Sequence, residues 1–258
     1  MTTTTLPAAR RLPAAAWGQM FLAEARMIIR DTSGLIVPIG FPVLLLVMNG
    51  LGMDGQQTLP DGSTVMNAII MPLTISMVVA LVGVVNMPSF LAMYRKYGVL
   101  RRLAVTPARP SMILVAQMLV SLAQVLLGVG LMMVIGATFF DVTVPQNLGW
   151  ALLVGALLLA AMYGIGTLIA AVAPTVNAGL ALGLVAFFLM LALGGGFGPL
   201  ATLPEVLQTI GQALPYGAGN EALAATWAGD QPETHHLAAL GAWAVVTGGL
   251  AAKLFRWS

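Results

Sequence analysis

All eleven lysines and arginines of this 258-residue chain fall into three patches, and the stretches between the patches are long and almost free of charge. Arg10, Arg11, Arg26 and Arg30 precede the first apolar stretch. Arg95, Lys96, Arg101, Arg102 and Arg109 form the second patch, and Lys253 and Arg256 the third. An apolar run of about 17–25 residues fits a bilayer core about 30 Å thick, at about 1.5 Å of rise per helical residue. Six such runs can be drawn: Leu35–Leu51, Asn67–Leu91, Ser111–Phe140, Leu148–Ala173, Asn177–Leu193 and Leu237–Ala252. The third is long enough to protrude or to tilt strongly. Six alternating spans put every basic residue on one side. The other side receives Asp54, Asp61, Asp141, Glu205, Glu221, Asp230 and Glu233, with no lysine or arginine. Basic residues concentrate in cytoplasmic loops, so both termini are expected in the cytoplasm of a multi-pass plasma-membrane protein.

Composition agrees with an all-α membrane bundle. The chain is 59% hydrophobic and 8% charged, where a soluble domain carries about 45–50% apolar and about 25% charged residues. It is long enough for one bundle but not for a bundle plus a sizeable soluble domain. A six-span domain over 35–258 is therefore expected after an N-terminal segment, 1–34. No cleaved signal peptide is read there, because Arg10-Arg11 is followed by Pro13 and a polar-interrupted stretch. Cysteine is absent, which excludes disulfides and thiolate metal sites. The net charge of +2 gives no reason to expect nucleic acid.

Two segments depart from the spanning pattern. Ala14–Asp31 reads as an amphipathic helix lying in the membrane interface, with Trp17, Met20, Phe21 and Ile28 on one face and Gln19, Arg26 and Arg30 on the other. Glu24 interrupts the apolar face: either a basic residue nearby pairs with it, or it weakens the reading of this helix. After the fifth run, Gly194-Gly195-Gly196-Phe197-Gly198-Pro199 cannot continue a regular helix. The short amphipathic stretch Pro204–Leu214 follows, with Val206, Leu207 and Ile210 on one face. A partly re-entrant or interfacial helical hairpin on the outer side is expected.

Several chemistries are excluded. None of the six runs contains Asp, Glu, Lys, Arg or His, whereas proton-coupled transporters and pumps carry ionisable groups inside the membrane. Sodium coupling through backbone carbonyls stays open, but the plainer expectation is an external energy source. A phosphate-binding loop needs Gly-Lys-Ser/Thr, and neither Lys96 nor Lys253 sits in one. No catalytic constellation can be assembled. His235 and His236 are adjacent, about 100° apart on a helix, which suits a solvated outer loop better than a metal site.

The distinctive segment is the loop Tyr94-Arg95-Lys96-Tyr97-Gly98-Val99-Leu100-Arg101-Arg102-Leu103-Ala104-Val105-Thr106-Pro107. Read as a short helix from Val99, it sets Val99 or Leu100 with Leu103 on one face, and Thr106-Pro107 stops it. On composition alone it is a basic inner loop held against anionic headgroups. The pattern Gly-x-Leu-Arg-Arg-Leu-x-x-Thr-Pro directly after a second span, however, resembles the ABC-2 type permease family, the membrane subunits of ATP-binding-cassette exporters. Arg30-Asp31 before span one, the glycine-rich end of span five, Leu203-Pro204-Glu205-x-Leu207 and Leu214-Pro215 extend the resemblance over nearly the whole chain. Many family members carry acidic residues ahead of the glycine, where this chain has Arg95-Lys96-Tyr97.

The resemblance implies that 94–107 is a coupling helix docking on a partner ATPase, with Arg95, Lys96, Gly98, Leu100, Arg101, Arg102, Leu103, Thr106 and Pro107 in the contact. It implies two ATPase subunits that bind Mg-ATP, no cofactor in this chain, a second permease subunit forming a homodimer, and outward transport.

Gln117, Ser121 and Gln124 share one face of span three. Such groups face other helices or a cavity in a bilayer, so they are substrate-path candidates beside plain helix–helix hydrogen bonding. Asn49, Asn67, Asn86 and Tyr163 are further candidates. A path without fixed charge suits a hydrophobic or amphipathic drug, antibiotic or lipid-like compound. A cell-envelope polysaccharide or glycolipid, an ATP-independent channel or facilitator, and a non-transporting assembly component are the alternatives.

Overall fold

Helix makes up 83% of the computed structural model, which describes residues 14–52, 55–60, 62–98, 111–198 and 200–254, and the described residues contain no strand. Among them, six helices are long and apolar enough to cross a membrane. These are α2 (Thr32–Leu51), α3 (Met66–Lys96), α4 (Ser111–Phe139), α5 (Leu148–Val172), α6 (Val176–Leu193) and α9 (Thr234–Leu254). Helix α1 (Ala14–Arg30) precedes them, and α7 (Glu205–Ala213) and α8 (Pro215–Ala228) stand between the fifth span and the sixth. The spans match the apolar runs to within a few residues. Helices outlast apolarity at their ends, because backbone hydrogen bonding continues where side chains turn polar. For this reason α3 runs on through Arg95 and Lys96, and α9 begins at Thr234.

Prolines shape the packing. Helix α3 has two widened π-type turns, Met66–Ile70 and Leu81–Asn86, and each ends just before a proline, Pro72 and Pro88. A proline removes one N–H and pushes away the carbonyl four residues back, so the helix opens there. Neighbouring helices close on the second wide turn through glycines. A Cβ added at Gly166 of α5 would strike the Gly83 carbonyl, and one at Gly183 of α6 would lie 2.6 Å from the Val84 carbonyl oxygen. Helix α3 thereby becomes the hub of the bundle, with 83% of its most apolar window buried against 39% or less for every other span.

The segment after α6 folds back on the bundle. Gly211 of α7 lies against the Leu193 carbonyl and Gly217 of α8 against the Gly211 carbonyl, so three backbones stack closely. Tyr216 is fully buried, and its hydroxyl donates to the Leu73 carbonyl at 3.2 Å. The Trp243 indole N–H donates to the Ala213 carbonyl at 2.8 Å, tying the last span to the end of α7. Helix α7 answers the amphipathic reading of 204–214. Helix α8 has no counterpart in that reading, since its run of glycine and alanine carries no apolar period; it packs among α3, α5 and α9.

The histidine pair corrects an expectation. His235 and His236 do not lie in a solvated loop; they open the last span, and His236 is buried. Its Nε2 sits 2.8 Å from the Glu221 carboxylate of α8. A helix start that packs on another helix buries one of two adjacent side chains and leaves the other, His235, exposed beside Glu233 at 3.1 Å.

Candidate functional site

A set of buried polar side chains gathers at the end of the bundle that carries Arg95 and Lys96. The starting point is Pro38 in α2. Having no N–H, it leaves the carbonyl of Gly34, four residues earlier, without its helical donor. A buried carbonyl must be satisfied, and two side chains from other spans supply the donors. Asn86 Nδ2 of α3 and Gln124 Nε2 of α4 each donate to the Gly34 oxygen at 2.6 Å. Asn86 sits in the widened turn before Pro88, so two prolines on two helices assemble this contact. Asp31 caps α2, with its Oδ1 accepting from the Gly34 N–H at 3.3 Å and from the Ser33 hydroxyl at 2.6 Å.

Glu24 of α1, seven residues before Asp31, is buried at 5% exposure. Its partner is the Tyr94 hydroxyl of α3, which donates to the carboxylate, and not the basic residue that is one of the two readings of this position. Burial raises the Glu24 carboxyl above the usual carboxylate range, and the Tyr94 hydrogen bond partly offsets that rise. Helix α1 thus joins the bundle through a mixed face of Phe21, Glu24, Met27 and Ile28, while Trp17 of the expected apolar face is exposed. Tyr163 of α5 brings its hydroxyl beside that of Ser121 on α4. Gln117, also on α4, is 1% exposed, and neither end of its amide finds a hydrogen-bond partner among the described residues. An unsatisfied buried amide costs on the order of 1–3 kcal/mol, so this position favours a water or another polar group drawn up to it.

Five of the path candidates, Gln117, Ser121, Gln124, Asn86 and Tyr163, therefore meet in one region, joined by Glu24 and Tyr94. Asn49 does not join them; it is exposed at the other end of α2 and donates to its own helix at the Leu45 carbonyl, 2.7 Å away. Asn67 is also distant, holding Thr64 and the backbone N–H of Thr143. Only the i, i+4, i+7 spacing on α4 was visible in advance. Glu24 and Tyr94 are separated by 70 positions, and no local pattern links them.

Arg95 and Lys96 make the last turn of α3, and Tyr97 and Gly98 turn the chain out of it. Gly98 adopts φ 65, a left-handed conformation that favours glycine at a helix end, and its N–H donates to the Arg95 carbonyl at 3.1 Å. A cavity of about 450 Å³ opens beside them, between the end of α3 and the α5–α6 connection at Pro174, Thr175 and Asn177. Leu100, Arg101, Arg102, Leu103, Thr106 and Pro107, and with them the expected coupling helix, lie outside the described residues.

At the opposite end the Glu221–His236 pair anchors α8 to the last span. The His236 hydrogen bond holds the Glu221 carboxyl below its ordinary value of 4.5 against an opposing effect of burial, with Gln212 helping. A depressed carboxyl stabilises the fold above its unfolded value, and the contribution fades as the pH falls below it. The melting advantage of the native chain over Glu221→Gln is therefore expected to be full near neutral pH and to shrink below pH 4.5. Its size is about 1 kcal/mol or less, since the carboxylate is partly open to solvent. A difference that stays constant with pH in detergent melts would contradict the anchoring role of the Glu221 carboxylate.

With this geometry in hand, comparison with known families gives one finding: a family model described as ABC-2 type transporter matches residues 16–227. That stretch runs from α1 to the end of α8 and includes every residue of the polar region. A comparison with curated proteins found no match.

Proposed function

The chain belongs to the ABC-2 type transporter family, as a membrane subunit of an ABC transporter without an ATPase of its own, and from that premise we propose that it exports a hydrophobic or amphipathic compound, drug-, antibiotic- or lipid-like, across the plasma membrane. Two copies of a separate ABC-type ATPase, binding Mg-ATP, would supply the energy. A second copy of this chain would complete the path.

The observation that carries the reading is the polar region at the basic end. Its groups on the spans are amides and hydroxyls, with the buried Glu24 carboxyl reaching them from α1. Uncharged donors and acceptors set in apolar walls suit an amphiphile with a modest polar group, while the cations nearby, Arg95 and Lys96, stand at the end of α3 rather than among these groups. The region also abuts the turn at Gly98, where the family's coupling segment begins. A push on that loop would reach Tyr94, one turn back along α3, and through it Glu24 and α1. The basic patches support placing this end and both termini in the cytoplasm. Helix α1 would then lie at the inner interface, and α7 and α8 would form a re-entrant hairpin on the outer side.

The first test is purification of the chain from its native membranes in mild detergent, with ATPase assays on what accompanies it. A stoichiometric ABC-type ATPase stimulated by amphiphilic compounds is expected. Stimulation only by a polyanionic glycan would replace the substrate class, and a dimer arriving without ATPase in several detergents would favour a facilitator. Within the complex, Leu103→Asp is expected to abolish substrate-stimulated hydrolysis while leaving membrane insertion intact. A charge placed in an apolar docking contact costs on the order of several kcal/mol, so unchanged stimulation would remove Leu103 from the interface.

A further inference from the structure

Between α4 and α5 the bundle leaves a groove of about 330 Å³, lined by apolar side chains throughout. Ile75 and Val79 of the buried hub helix form its floor, while Leu126 and Leu152 stand on its rims, 60% and 64% exposed. Trp227 lines the end away from the basic patches, its indole N–H fixed on the Thr143 carbonyl at 3.0 Å. Tryptophan favours the membrane–water boundary, where its ring is apolar and its N–H is satisfied.

Two features give the groove an occupant. Along α5 its lining runs from Leu148 to Leu159, about 16 Å at the helical rise, which matches the roughly 15 Å depth of one leaflet of hydrocarbon. The second is Gly155 in its wall. Gly164 and Gly166 of the same helix are glycine because a neighbouring helix touches them, but an added Cβ at Gly155 would meet nothing within 4 Å. This glycine keeps the groove open.

We propose that this groove is a binding site for a linear alkyl chain, the acyl chain of a phospholipid in the leaflet opposite the basic patches. The chain lies along α5 with its ester end near Trp227, and it fills the space between α4 and α5 against the side of α8. The proposal needs only the membrane-spanning bundle, so it stands or falls independently of the exporter reading.

The test is quenching of tryptophan fluorescence in vesicles of phosphatidylcholine brominated on its acyl chains. The full chain is reconstituted, and the signal of interest is the portion lost in Trp227→Phe. Trp227 is expected to be quenched with a relative lipid binding constant above that of bulk lipid. Gly155→Phe, which puts a ring into the open space, is expected to lower that constant about threefold or more, because excluding even one or two methylenes has that effect. Gly155→Leu should act in the same direction, and both variants must remain monodisperse in detergent. Gly130→Phe is the control, because its added Cβ also meets nothing within 4 Å but it does not line the groove; no change is expected there. Quenching unaffected by both Gly155 variants would overturn the proposal. So would a Trp227 shielded from all brominated lipid, which would mean that a second copy covers the groove. Displacement of the brominated chain by a small share of an unbrominated single-chain amphiphile would assign the groove to transported cargo and overturn it as well.

Discussion

Replacing Gly166 with leucine is expected to destabilise the bundle severely. The Cβ of any other residue would land on the carbonyl oxygen of Gly83, a backbone atom held in the widened turn of α3. A flexible side chain could swing aside, but this carbonyl moves only if α3 moves. Helix α3 is pinned in turn by Gly183 of α6, against the Val84 carbonyl, and by the packing of Met162 on Gly83. Relief therefore requires α5 to separate from the hub, opening the contacts around Met87, Leu91, Tyr94, Tyr163 and Ala170. Overpacking a well-filled core costs about 1–3 kcal/mol where side chains adjust. A clash with fixed backbone belongs to the rare class above about 4 kcal/mol. For a chain of this length that corresponds to a fall in melting temperature of about 10 °C or more. Monodispersity and melting temperature of a fluorescent fusion in detergent would measure it, with Gly155→Leu, on the same helix but facing open space, as the tolerated comparison. Equal behaviour of the two variants would show that α5 does not close on Gly83.

The second large effect is expected from a pair of substitutions. Asn86→Leu and Gln124→Leu should each be mild alone, and together markedly destabilising. The reason is that both amides serve one acceptor, the Gly34 carbonyl stranded by Pro38. Removing one donor leaves the other in place. Removing both leaves a buried carbonyl with no partner, at about 1–3 kcal/mol. Single interhelical hydrogen bonds in membranes are worth about 0.6 kcal/mol on average, so in a double-mutant cycle the double variant should cost more than the sum of the single effects, by up to about 2 kcal/mol. A third substitution gives the decisive outcome. Pro38→Ala restores an N–H four residues after Gly34, lets the helix satisfy its own carbonyl, and should rescue the double variant. Additive single effects, or no rescue by Pro38→Ala, would show that the carbonyl is not the shared element.

Much of the fold could be read in advance for a physical reason. Each spanning helix satisfies its own backbone and needs a length set by the bilayer, so both its existence and its extent are local properties of the chain. The helix of 14–30 and the short helix at 205–213 showed the same locality through their amphipathic period. Helix α8 did not, because glycine and alanine fit a crowded space between other helices without leaving an apolar stripe. In the polar region, the common face of Gln117, Ser121 and Gln124 followed from helical spacing alone. Asn49 has the same chemistry as Asn86, yet it turns back on its own helix; which of the two reaches another span depends on where the helices sit.

The sequence by itself therefore determined six apolar helices, their order, and the separation of basic and acidic loops. These rest on composition, length and period, which act over a few neighbouring residues. Only the tertiary structure decided that the Glu24 carboxyl meets the Tyr94 hydroxyl, that His236 leaves the solvent for Glu221, and that Gly83 receives Gly166. Each of these joins residues far apart along the chain. Their partners are chosen by the way prolines widen one helix and glycines let the next approach it, a matter of distance between backbones that no single helix specifies.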